Sequence, residues 1–78
     1  MYDNKVLINL YVVCLDKSYE LYIPVNEKVG NVIKMLSRSL FNEEKNMCFI
    51  NTVTGSIYKN NDLVRNVDIN NGMKLLLV

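Results

Sequence analysis

Apolar positions along residues 29–40, VGNVIKMLSRSL, recur at helical spacing. At about 100° per residue, Val29, Val32, Ile33, Leu36 and Leu40 fall in one stripe, with Asn31, Lys34 and Arg38 on the opposite side. An amphipathic helix of three turns is roughly 18 Å long and unstable alone in water, so this stripe must dock onto an apolar surface. Residues 5–13, KVLINLYVV, supply part of that surface. They are β-branched and aromatic, with Val6, Ile8, Leu10 and Val12 alternating against Leu7, Asn9, Tyr11 and Val13. Apolarity on both faces predicts a strand in the middle of a sheet. Asp16, Lys17 and Ser18 suit a turn, and residues 19–25 follow as the second strand of a hairpin, with Tyr19, Leu21, Ile23 and Val25 against Glu20 and Tyr22. Pro24 cannot donate a ladder hydrogen bond, which ends that strand or places it at an edge.

The helix start is poorly marked, because the best capping residue, Asn26, lies three positions before Val29. Gly30, in the first turn, costs about 1 kcal/mol of helix propensity against alanine, which points to close packing there or to tolerance near the helix end rather than to a functional glycine. After a polar connection over residues 41–46 come a short apolar run, Met47-Cys48-Phe49-Ile50, turn residues at 51–55 and a brief strand at 56–59. These predict a second, shorter hairpin, with the inward and outward sets of 47–50 left open. Leu63, Val64, Val67 and Ile69 suit a short helical turn or irregular loop tucked under the sheet. Asn70-Asn71-Gly72 is a tight-turn signal that launches the last strand, residues 73–78.

One helix stripe and five strands, in the order ββαβββ, are satisfied by two layers. The expected fold is α+β: a β-grasp with a mixed five-stranded sheet and one helix across one face, forming a single domain over residues 1–78. The first and last strands lie side by side in the centre. Met73, Leu75 and Leu77 then face the helix, while Lys74, Leu76 and Val78 lie on the open face beside Leu7, Asn9, Tyr11 and Val13.

Composition narrows the function more than the fold. A chain of 78 residues has room for one core. Nine basic and eight acidic residues are scattered singly for a net charge of +1, with no basic stripe to follow a phosphate backbone, so nucleic acid is not an expected partner. No apolar run approaches the roughly 18–20 residues of a membrane span, and the polar start MYDNK does not read as a signal peptide, which together predict a cytoplasmic protein with no direct membrane insertion. The chain has no histidine, which excludes Ser-His or Cys-His nucleophile pairs and imidazole metal sites. Cys14 and Cys48 lack the CxxC spacing of a redox pair and are expected as free, buried thiols. The one carboxylate pair, Glu43-Glu44, is adjacent in a loop. No catalytic residue, cofactor or metal is expected, and the protein is read as a non-enzyme.

The segments YELYIPVNEKVGNVIKML and LVRNVDINNGMKLLLV, with Ile69-Asn70-Asn71-Gly72 leading into Leu75 and Leu77, resemble the YukD/EsaB family of small bacterial ubiquitin-like proteins over about residues 5–78. The resemblance implies a ubiquitin-like fold and a cytoplasmic regulatory or accessory role in a type VII (ESX/WXG100-type) secretion system. Its partners would be cytoplasmic domains of the secretion apparatus. A standalone ubiquitin-like adaptor that regulates another enzyme or toxin is the alternative. Conjugated modifiers and sulfur carriers of this fold use a flexible Gly-Gly tail. This sequence ends in Leu77-Val78, and attachment to targets is not expected. The partner-binding surface is expected on the sheet face away from the helix, at Leu7, Tyr11, Val13, Leu76 and Val78, on a monomer or weak homodimer.

Overall fold

The structure, a computed structural model, describes residues 4–78; the reading of MYDNK as no signal peptide rests partly on residues outside it. Strand β1 (Lys5–Val12) runs antiparallel to β2 (Lys17–Pro24), helix α1 (Val29–Phe41) follows, and β3 (Phe49–Asn51) and β4 (Met73–Leu77) complete the sheet. The strand order is β2-β1-β4-β3. β1 pairs parallel with β4 at the centre, Leu10 opposite Leu75 and Val12 opposite Leu77. This is the pairing expected of the two most apolar strands.

Alternation along these strands divides the sheet cleanly. Val6, Ile8, Leu10 and Val12 of β1, Ile23 of β2, Phe49 of β3 and Leu75 and Leu77 of β4 are all buried and form one core with Val29, Val32 and Ile33 of α1. Each such side chain contributes about 1.5–3 kcal/mol by leaving water. Leu36 and Leu40 are only half-buried at the margin of this core, while Ser37 is fully buried. The stripe is therefore rotated slightly from the one drawn through Leu36. Ser37 is accommodated because its hydroxyl donates to the Lys34 carbonyl (3.0 Å) and accepts from the Lys45 backbone N–H (3.1 Å).

The helix begins without a side-chain cap at Lys28. Two orphan N–H groups of its first turn are taken by a distant loop instead: Val29 donates to the Asp62 carbonyl (2.9 Å) and Gly30 to the Asn60 carbonyl (3.0 Å). Gly30 is needed for this approach, since a Cβ there would lie 2.9 Å from Asn60 Cβ and 3.1 Å from its carbonyl oxygen. At the other end, Asn42 closes the helix in the left-handed conformation, φ 60°, with its N–H donating to Arg38 O.

Three expectations are corrected. Among the described residues the sheet has four strands, not five: residues 56–59 form only an isolated bridge, Ile57 to Ile50. The pairing is limited to Asn51 N–H to Ser56 O (2.9 Å) and Tyr58 N–H to Phe49 O (3.2 Å), across a turn in which the side-chain oxygen of the buried Asn51 accepts from the N–H groups of Val53 (2.8 Å) and Thr54 (3.2 Å). Strand β1 stops at Val12, and Val13 begins the 3-10 turn Val13–Leu15 at the hairpin tip, ended by Asp16 at φ 52°. Cys14, in the same turn, is exposed; it and the half-buried Cys48 are both free thiols. No helix among the described residues is long and apolar enough to cross a membrane.

Candidate functional site

The face of the sheet away from α1 is built by the outward half of each strand's alternation. Cross-strand pairing sorts its side chains into rows. Tyr11 pairs with Leu76 and Leu76 with Ile50, and Ile50 bridges to Ile57, so four apolar side chains from four segments line up across the sheet. At the usual strand spacing this row is roughly 14 Å long. Tyr11, Leu76 and Ile50 are half-buried, and Ile57 stands out at 61% exposure. The next row toward the start of β1 is polar: Glu20 pairs with Asn9 and Asn9 with Lys74, all exposed. Beyond it Leu7 pairs with the exposed Tyr22.

Several hydrogen bonds hold this surface rigid. The Tyr11 hydroxyl bonds to the Asp16 carboxylate at the hairpin tip, which fixes the ring over the end of β1. That bond, then loss of solvation and the neighbouring negative charge, raise the Tyr11 pKa above its ordinary value. The Leu7 N–H donates to Asn71 Oδ1 (2.9 Å) and the Gly72 N–H to Leu7 O (2.8 Å), tying the turn before β4 to β1. Gly72 takes φ 79°, the left-handed conformation that its position in the Asn70-Asn71-Gly72 turn requires. Under the sheet, Tyr58 OH donates to Asp68 Oδ1 (2.8 Å) and accepts from Asn51 Nδ2 (3.1 Å). Burial and the Asp68 bond push the Tyr58 pKa up to about 12, with the Asn51 bond opposing them.

Of the expected contact residues, Leu7, Tyr11 and Leu76 lie on this open face, with Tyr11 and Leu76 adjacent. Val78 is exposed just past β4, where its backbone exchanges two hydrogen bonds with Cys48 (2.7 and 3.0 Å). Val13 sits apart from them, in the hairpin turn rather than on a strand. Ile50 and Ile57 join the row without having been singled out. The parity of 47–50 is settled by Phe49, which is fully buried and sends Ile50 outward; the neighbouring turn chemistry was the missing signal. Among the described residues, no group of three or more His, Cys, Asp or Glu is placed to hold a metal ion.

No family's sequence model matches the chain, and no curated protein matches it. Solved structures do. One, described as molecular mimicry of SUMO promoting DNA repair, is 16% identical with a TM-score of 0.79, covering 100% of this chain and 95% of its own. An N-terminal ubiquitin-like domain is 18% identical with a TM-score of 0.78, covering 99% of this chain and 76% of its own. A designed protein based on ubiquitin is 10% identical with a TM-score of 0.75, covering 99% and 90%. The fold is ubiquitin-like. At these identities the likeness is one of backbone architecture, and the side chains of the open face are this protein's own.

Proposed function

We propose that this ubiquitin-like protein is a non-enzymatic interaction module that binds a protein partner non-covalently through its open sheet face. The observation that carries this reading is the continuous apolar row Tyr11, Leu76, Ile50 and Ile57. A contiguous row of this kind is the sort of patch that marks a binding site, and an aromatic at one end supplies an anchor of the type that dominates interface energies. The finer assignment is a cytoplasmic accessory of a type VII secretion system, with cytoplasmic domains of that apparatus as partners. It draws on the resemblance of residues 19–36 and 63–78 to the YukD/EsaB pattern.

The test is Leu76→Asp. The side chain points away from the core, so the fold should survive, with an unchanged circular dichroism spectrum and a melting temperature within a few degrees. In an interface the same change buries an unpaired charge and should weaken binding by about 2 kcal/mol or more. Pull-down against the cytoplasmic domains of the host's secretion ATPase, with sedimentation to detect homodimers, reads the outcome. A folded Leu76→Asp that loses neither partner nor dimer removes the open face as the site. Neighbouring genes for small WXG-type secreted proteins and an FtsK-like ATPase would separate the secretion role from that of a standalone adaptor.

A further inference from the structure

On the helix side of the molecule, away from the open face, α1 and two loops enclose a groove of about 300 Å³. Lys28, Lys34 and Lys45 stand around it, Asn31, Asn46, Asn60 and Asn61 line its walls, and Ile33 and Met47, both nearly buried, give it an apolar floor. No carboxylate lines it. Among the described residues neither Lys28 nor Lys34 forms an ion pair, while the Lys45 ammonium pairs with Glu43 at 3.5 Å and lies over the Phe41 ring at 4.9 Å.

The walls are held in place rather than loosely gathered. The backbone at Lys28 is held by a bridge to Leu63, at Lys34 by the helix, and at Lys45 by its N–H to the buried Ser37 hydroxyl. Asn60 is pinned against the helix by its carbonyl's bond from Gly30, at the close approach that only glycine permits. The unpaired ammonium groups of Lys28 and Lys34, with Lys45 partly neutralised by Glu43, focus positive potential there.

We propose that this groove binds an acidic peptide segment of a protein partner, separately from the open face. Side-chain carboxylates would meet the Lys28 and Lys34 ammonium groups, with Lys45 at the margin, and the amides of Asn46, Asn60 and Asn61, each both donor and acceptor, match the N–H and C=O groups of an extended peptide, while the Asn31 amide donates to Glu27 (3.2 Å). The apolar floor accommodates the methylenes of glutamate or a small aliphatic neighbour. A nucleic acid fits less well. No ring is offered for base stacking, since Lys45 covers the Phe41 ring at 4.9 Å, and no arginine fork faces the groove, since Arg38 is engaged by Glu44.

The experiment is an NMR titration of the isotopically labelled full chain with a short peptide of alternating Glu and Asp, and with its Gln and Asn counterpart. The acidic peptide should shift the amides of Gly30, Asn31, Ile33, Asn46, Asn60 and Asn61 to saturation, and the neutral one should not. Lys34→Glu should weaken binding roughly tenfold or more, and Lys28→Gln combined with Lys34→Gln should do the same without charge reversal, while Lys17→Glu at the distant hairpin leaves it unchanged. Shifts spread equally over Lys5, Lys17 and Lys74, or equal losses from Lys17→Glu, overturn the site as unspecific charge attraction. Inorganic phosphate giving the same shifts at the same concentration, or a thymidine oligonucleotide binding more tightly than the peptide, overturns the assignment of the ligand.

Discussion

Replacing Gly30 by alanine sets helix propensity against tertiary packing, and the two predict opposite signs. Propensity alone favours the variant: alanine is better than glycine in a helix by about 1 kcal/mol. The structure opposes it. The new methyl would lie 2.9 Å from Asn60 Cβ and 3.1 Å from the Asn60 carbonyl, and neither atom is the free end of a flexible side chain. The loop over residues 60–62 would have to withdraw. That withdrawal stretches the bonds from Gly30 N–H to Asn60 O and from Val29 N–H to Asp62 O, worth about 0.5–1.5 kcal/mol each, on top of about 1–3 kcal/mol for crowding a packed contact. Against the gain in propensity, the expected outcome is a net loss of about 1 kcal/mol or more, up to about 5 if both bonds are lost. Urea titration followed by circular dichroism gives the midpoint and slope, and amide hydrogen exchange at residues 29 and 30 should show faster opening in the variant. A midpoint that rises, with protection of both amides retained, would refute the claim that the loop caps the helix.

Leu36→Ala should cost about 2 kcal/mol, the lower end of the range for leucine truncation, because Leu36 flanks the core rather than filling it; a loss under about 1 kcal/mol in the same titration would detach it from the core altogether. Tyr58 contributes a pH-dependent part of stability: folding raises its pKa from 10.0 to about 12, so its contribution is whole below pH 10 and is lost as pH rises from 10 toward 12. Tyr58→Phe, which strips Asn51 and Asp68 of their partner, should be less stable than the parent by a constant margin below pH 10, and that margin should narrow above it; a margin unchanged up to pH 12 would contradict the raised pKa.

The parts of this fold that were legible in the sequence are those fixed by local periodicity. The central strands announce themselves through alternation in residues 5–12 and 73–77, and α1 through its stripe, because burial on one side imposes a period on the chain. Pro24 ends β2, which is also an edge strand, and Asn70-Asn71-Gly72 makes the turn it signals. What escaped depends on contacts distant in sequence or on a side chain competing with the backbone. Residues 56–59 meet β3 through only two backbone bonds, Asn51 N–H to Ser56 O and Tyr58 N–H to Phe49 O, around a turn shaped by the Asn51 carboxamide, and so stay a bridge rather than a strand. The uncapped helix start is completed from residues 60 and 62, some thirty positions away. The groove is invisible for the same reason: its lysines are scattered singly at 28, 34 and 45, and only the fold brings them around one hollow.

The polar row on the open face limits how a partner can use it. Leu7 and Tyr11 are four residues apart on β1, roughly 13 Å, and Asn9 between them belongs to the row with Glu20 and Lys74. A partner spanning both apolar strips would have to cover that row, and either charge left dry and unmatched would cost several kcal/mol. Engagement is less costly along the strip of Tyr11, Leu76, Ile50 and Ile57, which runs to the sheet's short β3 edge without crossing a charge. Binding energy should therefore concentrate on that strip. Ile50→Asp should weaken partner binding as much as Leu76→Asp, about 2 kcal/mol or more, while Leu7→Asp, with its side chain beyond the polar row, should cost less than about 1 kcal/mol. Isothermal titration of the three folded variants against one partner domain makes the comparison. Equal losses at Leu7 and Ile50 would mean that the partner covers the whole face and satisfies Glu20 and Lys74 with charges of its own.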